Sequence, residues 1–320
     1  MHPLQVFCAG IFNGGGVDAS PVSHRARIPA MHAISAPGIP GPAALNIRTA
    51  TYYRRSYIDP GEPGSCTTTS TVSCTNAPGR VWVEQRWYAH RSLPSLLVME
   101  VQILLNDSDN GLDSYAPTMR DDAPFAMLKL LNIDGGPSSD INFTAVPLAP
   151  DLPYGVKLGA TAIPESINAT TFRVAVLATT IPQNGMVMFD AYSQTRAFLA
   201  VVRTSIETAD EALVRAVEAD FAAATDLAAQ GTLWSTHVAE WAATIWGAGY
   251  ESDRTDVARA VNTSLYAIVS SMRADRPFST SPGGLAQDCY QGHSFWDCET
   301  WMGPGMLLTH PDIAQSMVSR

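Results

Sequence analysis

Basic side chains are scarce in this sequence and form no cluster: 20 Lys and Arg stand against 30 Asp and Glu in 320 residues, a formal net charge of −10. Phosphate binding needs clustered cations, so a nucleic-acid backbone is excluded as a partner, whereas neutral sugars are compatible with an acidic surface. Cysteine is sparse too. The five (Cys8, Cys66, Cys74, Cys289 and Cys298) include no C-x-x-C pair, which argues against a zinc site and against a dense disulfide framework. A staple between Cys66 and Cys74 across CTTTSTVSC is left open by the unknown compartment. No apolar run reaches eighteen residues, so a membrane-spanning helix is not expected. The opening MHPLQVFCAGIFNGGG lacks the basic start and sustained apolar core of a signal peptide. That expectation marginally favours the cytoplasm, while sequon-type triplets at Asn106, Asn142, Asn168 and Asn262 leave secretion open. No solenoid repeat is present, and the Thr/Ser segment near Cys66 is the one biased tract. The glycines of GIFNGGGVD and SPGGLA do not have G-x-G-x-x-G spacing, so they read as tight turns rather than a nucleotide site.

What is abundant is apolar: 46% of residues are hydrophobic and 16% charged, enough for one large or two ordinary domains. Up to about Arg203 the apolar residues alternate. Leu97, Met99, Val101, Ile103 and Leu105 share one face of a predicted strand, with Glu100 and Gln102 on the other. TFRVAVLAT (Thr171 to Thr179) and MVMFDAYS (Met186 to Ser193) read as two strands joined through a hairpin at Asn184-Gly185. Many short strands with scattered Pro and Gly point to an antiparallel β-sandwich. After Thr204-Ser205, expected to cap a helix, the stripe Leu213, Val217, Phe221, Ala224 and Ala228 predicts one long helix stopped by Gly231. Leu233, His237, Trp241 and Ile245 predict a second helix, and Val257, Val261, Leu265 and Ile268 a third.

The densest chemistry lies in GGLAQDCYQGHSFWDCETWMGPG, Gly283 to Gly305. An aromatic face such as Trp296 can stack on the C–H face of a pyranose, while a carboxylate such as Asp297 grips two ring hydroxyls through charge-assisted hydrogen bonds. HSFWDCETWMGPGMLLTHP resembles the FWD-x-[DE]-x-WM-x-P signature of glycoside hydrolase family 65. GIFNGGGVD, RWYAHRSLPSLLVMEVQI (Arg86 to Ile103), GTLWSTHVAEWAATIW (Gly231 to Trp246) and SPGGLA are similar to further family segments and run in the family's order. Gln291, Gly303 and Gly305 depart from its pattern.

The resemblance implies an α+β multidomain protein: an N-terminal antiparallel β-sandwich over residues 1–203, a helical linker over 204–253, and the first part of an (α/α)6 catalytic barrel over 254–320. That barrel is expected to be incomplete, because twelve helices of about 11–12 residues need on the order of 140 residues before loops. It implies a hydrolase of α-glucosides that removes glucose from glucosylgalactosyl-hydroxylysine by inversion, without metal or organic cofactor. A disaccharide phosphorylase, a trehalase and a non-catalytic truncated product are the alternatives. Oligomeric state is left undetermined.

Inversion needs two carboxylic groups, about 6.5–9.5 Å apart. Asp297 aligns with the family's signature Asp and is assigned to gripping glucose first and to catalysis second; the general acid is a Glu expected on a later barrel segment. Trp296, His293 and Tyr290 complete the expected sugar site. Each has a structural alternative: Trp296 as core, Asp297 as a helix N-cap, His293 and Tyr290 as satisfied structural residues. Phe295 is expected in the core, Glu299 in a supporting role, and Cys298 has no activating partner. Tyr88, His90 and Arg91 are read as sandwich or domain-interface residues rather than catalytic ones.

Overall fold

The computed structural model describes residues 6–14, 23–30, 33–35, 39–58, 72–73, 81–105, 126–129, 131–133, 138–146, 154–165, 169–181, 185–189, 195–285 and 289–319. Within these the strands are β1 (Phe12–Asn13), β2 (His24–Arg25), β3 (Ala33–Ser35), β4 (Ile39–Asn46), β5 (Thr51–Ile58), β6 (Val72–Ser73), β7 (Val81–Ala89) and β8 (Leu96–Leu105). They continue with β9 (Ala126–Lys129), β10 (Leu131–Ile133), β11 (Ile141–Val146), β12 (Tyr154–Thr161), β13 (Arg173–Thr179), β14 (Met186–Phe189) and β15 (Thr195–Thr204). The helices follow: α1 (Leu213–Ala229), α2 (Leu233–Thr244), α3 (Thr255–Val269), α4 (Gly303–Thr309) and α5 (Pro311–Val318).

The organising element is an eight-stranded sheet in the order β11-β12-β13-β15-β8-β7-β5-β4, antiparallel throughout. A three-stranded sheet, β14-β9-β6, and two short pairs, β1-β2 and β10-β3, accompany it. The large antiparallel sheet followed by helices matches the expected division of the chain into a β part and a helical part. β13 and β14, the strands expected to form a hairpin at Asn184-Gly185, do not pair with each other, and Asn184 lies outside the described residues. β13 pairs with β12 and β15, whereas β14 pairs with β9 in the smaller sheet. Gly185 does adopt a positive φ of 69°, but the local turn signal loses to the longer partners that β13 finds elsewhere.

Both faces of the large sheet are covered, which explains why Glu100 is buried although it alternates with the apolar residues of β8. One face carries Leu96, Val98, Ala175, Leu177, Leu199 and Val201 and packs under α1 through Leu213, Val217 and Ala224. The other carries Val174, Val176 and Val202 and is sealed by Ile11, Ala26, Ile28 and Ala30 from the N-terminal segment. Glu100, on the face opposite Met99 and Val101 as expected, is buried beside Arg86, whose guanidinium approaches within 3.0 Å. Burial raises the Glu100 pKa, and the Arg86 charge counters part of that rise.

The stripe predicted for the second helix holds in full and that for the third in part. Leu233, His237, Trp241 and Ile245 are all buried, and Gly231 ends α1 with φ 69°. Thr204-Ser205 caps no helix: Thr204 closes β15, and α1 begins at Leu213 after a 3₁₀ turn, Asp210–Ala212, with no side-chain cap. On α3 the inward face is Leu265 and Val269, leaving Val257 and Val261 exposed.

Candidate functional site

The helical part meets the sheet through nitrogen donors of aromatic rings. From the α2 segment, indole N–H groups of Trp241 and Trp246 donate to the carbonyls of Ile47 and Arg48, each at 3.1 Å, and His237 Nε2–H donates to Thr49 at 2.8 Å. These carbonyls belong to the turn between β4 and β5, whose oxygens have no ladder partner. From the sheet side, the turn after β7 returns the contact. His90 Nε2–H donates to Leu233 O at 3.0 Å, Arg91 N–H donates to His237 Nδ1 at 3.1 Å, and Arg91 also donates to Met272 O at 3.2 Å. Tyr88 stacks on His237 with ring centroids 4.6 Å apart. Tyr88, His90 and Arg91 thus lie between sheet and helices, as the sequence suggested.

The signature segment is positioned from both sides. Upstream, Thr280 and Ser281 are buried, and the Cys298 thiol donates to Thr280 O at 3.1 Å. This draws Cys298 inward, and Met306 follows it into the core. Residues Cys298–Met302 form a π-type turn, which places Trp296 and Trp301, five residues apart, on its outer side. They are 63% and 71% exposed, with ring centroids 6.3 Å apart. Tyr290, 51% exposed, lies 4.5 Å from the ring of Phe295. Four rings therefore face outward in one short run, a pattern that marks a contact surface rather than a core. Phe295 is exposed, contrary to the core position expected for it, because the inward slot goes to Cys298.

Asp297, which lies between these rings in sequence, is half-buried, and its carboxylate engages no described residue. It is not a capping residue: its backbone is already helical (φ −54°, ψ −36°) and its side chain makes no cap bond. His293 is held: its Nε2–H donates to Ser23 O at 2.9 Å, and its ring lies flat on Phe12, 4.5 Å away. Tyr290 and Gln291 adopt φ of 54° and 53°, and Gly292 follows at 83°. Two consecutive non-glycine residues in this region cost roughly 1–2 kcal/mol each, so neighbouring contacts must hold the turn.

Those contacts were not legible in the sequence. Arg25, on β2, donates to Gly284 O at 2.8 Å, and its stem fills the space beside Gly292, where an added Cβ would lie 2.0 Å from the Arg25 Cγ. The N-terminal segment is itself anchored by Asp140, which accepts from Arg27 N–H at 2.9 Å and Arg27 Nε at 2.6 Å, with His24 Nε2 at 3.1 Å. Burial alone would raise the Asp140 pKa, but the Arg27 hydrogen bonds and His24 hold it well below the usual carboxylate range. Gly14 seals the same corner, because its Cα lies against Pro164 O.

The described free thiols are those of Cys8 and Cys298. Cys8 is pushed up to about 12 by burial and then by the charge of Glu207, which leaves it unreactive. The proposed Cys66–Cys74 staple lies outside the described residues. Among the described residues no group of three or more His, Cys, Asp or Glu could hold a metal ion, and no helix is long and apolar enough to cross a membrane. A groove of about 550 Å³, lined in part by Arg91, Glu240, Arg273, Asp275 and His310, contains none of Tyr290, His293, Trp296 and Asp297.

No protein-family model matches the sequence. A protein-glucosylgalactosylhydroxylysine glucosidase from Dictyostelium discoideum is 31% identical over 97% of this chain and 40% of its own length. The protein of the same name from Mus musculus is 26% identical over the same shares. A kojibiose hydrolase from Flavobacterium johnsoniae is 38% identical across 29% of this chain and 14% of its own. A solved structure assigned by its name to the kojibiose phosphorylases, from human microbiome, shares the fold with a TM-score of 0.57 at 11% identity, covering 98% of this chain and 39% of that one. The chain spans about 40% of the length of the curated relatives it matches end to end.

Proposed function

From its kinship with the protein-glucosylgalactosylhydroxylysine glucosidases, we propose that the chain is part of a glycoside hydrolase that releases glucose from glucosylgalactosyl-hydroxylysine with inversion. In this reading residues 1–203 are a β-sandwich domain, 204–253 a helical linker and 254–320 the opening of an (α/α)6 barrel. The exposed apolar side chains of Val257, Val261, Leu307 and Leu308 support the last assignment, since further barrel helices would cover them. The observation that carries the sugar site is an exposed Trp296 followed in sequence by Asp297, whose carboxylate is uncommitted among the described residues.

The chemistry follows from those two groups. The Trp296 face takes the C–H side of the glucose ring, and Asp297 accepts from its hydroxyls. Tyr290 borders the same surface. His293 has Nε2 committed to Ser23, so it offers Nδ1 as an acceptor. The proton donor to the leaving oxygen is a Glu of the remaining barrel, and a second carboxylate activates water on the opposite face of the sugar. The local 38% identity to a kojibiose hydrolase favours a second reading, in which the same site releases glucose from kojibiose.

The test is glucose release from glucosylgalactosyl-hydroxylysine, with kojibiose and trehalose as comparisons, by the chain and by a protein of the relatives' full length. Release by the longer protein that falls more than tenfold in Asp297→Asn is expected, since a charged hydrogen bond is worth about 1.5–3 kcal/mol. Release untouched by that substitution would remove Asp297 from the site; release from trehalose alone would replace the substrate.

A further inference from the structure

We infer that Arg25 is a positioning residue for the sugar site, strapping both ends of the loop that precedes Trp296 and Asp297. This deepens the reading above and rests on it. Arg25 is buried on β2, far in sequence from the signature. Its Nη1 donates to the carbonyl of Gly284, where the loop departs, at 2.8 Å. Its Cγ, Cδ and Nε occupy the space that a Cβ at Gly292 would need, 2.0 to 2.2 Å away, where the loop returns. Its guanidinium also lies 4.7 Å from the ring of Phe7. One side chain therefore touches the start and the end of a segment whose last residues are left-handed at three consecutive positions, Tyr290, Gln291 and Gly292.

That turn has an energetic reason to relax. Tyr290 and Gln291 would each prefer right-handed or extended backbone, and relaxing either would rotate the following peptide and swing His293, Trp296 and Asp297. Holding them is a task for a neighbour that cannot move. Arg25 qualifies because β2 is itself fixed, through pairing with β1 and through the Asp140 contacts of His24 and Arg27. The stack of His293 on Phe12 and its bond to Ser23 O add a second fastening from the same segment. The role is geometric: Arg25 sets where Trp296 and Asp297 stand, without contacting a sugar.

Two measurements on the 320-residue chain test this. The first is hydrogen exchange at the Gly284 and His293 amides, which donate to Ser281 and Tyr290 carbonyls. In Arg25→Met these amides should exchange at least tenfold faster while amides of α2 are unchanged. Arg25→Lys, which keeps the stem and one donor, should restore part of the protection. Unchanged exchange at both amides, or an equal loss of protection in α2, overturns the inference. The second is titration with kojibiose followed by tryptophan fluorescence: Arg25→Met should weaken binding at least tenfold, with partial recovery in Arg25→Lys. Binding equal to the unsubstituted chain overturns it. If the unsubstituted chain binds no sugar, the assignment of Trp296 and Asp297 fails, and hydrogen exchange alone decides the role of Arg25.

Discussion

The backbone N–H of Arg91 donates to His237 Nδ1 across 3.1 Å, which fixes the ring as the neutral tautomer whose Nε2–H serves Thr49 O at 2.8 Å. Burial, followed by the unfavourable effect of His90 and Arg91, lowers the His237 pKa to about 4. A depressed histidine costs nothing above its unfolded pKa of about 6.5, where both states are neutral. As the pH falls from about 6.5 to about 4 the unfolded chain takes up a proton that the folded chain refuses, and stability declines by about 3 kcal/mol. Urea unfolding across that window should show the decline. His237→Leu should be less stable at neutral pH, by about 2–3 kcal/mol for the two partners left unmatched, and should lose that part of the pH slope.

Asp140 supplies a dependence of the same sign in a lower pH window. Its depressed pKa means that its contribution is complete above the unfolded carboxylate value of about 4 and is lost as the pH falls further. Asp140→Asn should destabilise by about 2–4 kcal/mol at pH 7, since it leaves Arg27 and His24 without their charge partner in a mostly buried setting. Guanidinium unfolding of the variant should then be nearly flat between about pH 4 and pH 2 relative to the parent chain.

Three glycines separate three kinds of constraint. Gly14→Ala would bring a Cβ within 1.8 Å of Pro164 O, a backbone atom, so it should cost several kcal/mol and loosen the N-terminal segment. Gly231→Ala meets no neighbour but must adopt φ 69°, so it should cost about 1 kcal/mol. Gly305→Ala lies inside α4 in open space and should stabilise by about 0.5–1 kcal/mol. Thermal unfolding of the three should rank them in that order.

Trp296 and Trp301 are near neighbours of similar exposure, and Trp296 is the one next to Asp297 in sequence. If sugar is gripped between ring face and carboxylate, Trp296→Ala should abolish the fluorescence change on adding kojibiose. Trp301→Ala should retain it, with an affinity within about fivefold of the parent. Equal losses in both would place the sugar between the two rings.

The helices were legible because their determinants are local. The four-residue spacing of Leu233, His237, Trp241 and Ile245 marks the buried face of α2, and all four are buried. The clustering of Trp296 and Asp297 was legible for the same reason. The pairing of β13 and β14 was not, since Asn184-Gly185 reports a turn but says nothing of whether its flanks pair with each other. The burial of Glu100 was not legible either, because alternation marks two faces without saying that both are covered.

What the sequence determined by itself is helices α1 to α3, the strand segments that become β8, β13 and β14, and that rings and a carboxylate gather near residue 296, because periodicity and proximity along the chain are encoded within a few residues. Only the tertiary structure decided that Arg25 meets Gly284 and Gly292, that Trp241 and Trp246 bind the turn at Ile47 and Arg48, and that Phe295 stays outside. Those contacts join segments roughly two hundred or more residues apart. They are selected by which buried donors and cavities the packed elements leave to be filled, a quantity that does not exist until the sheet and helices have met.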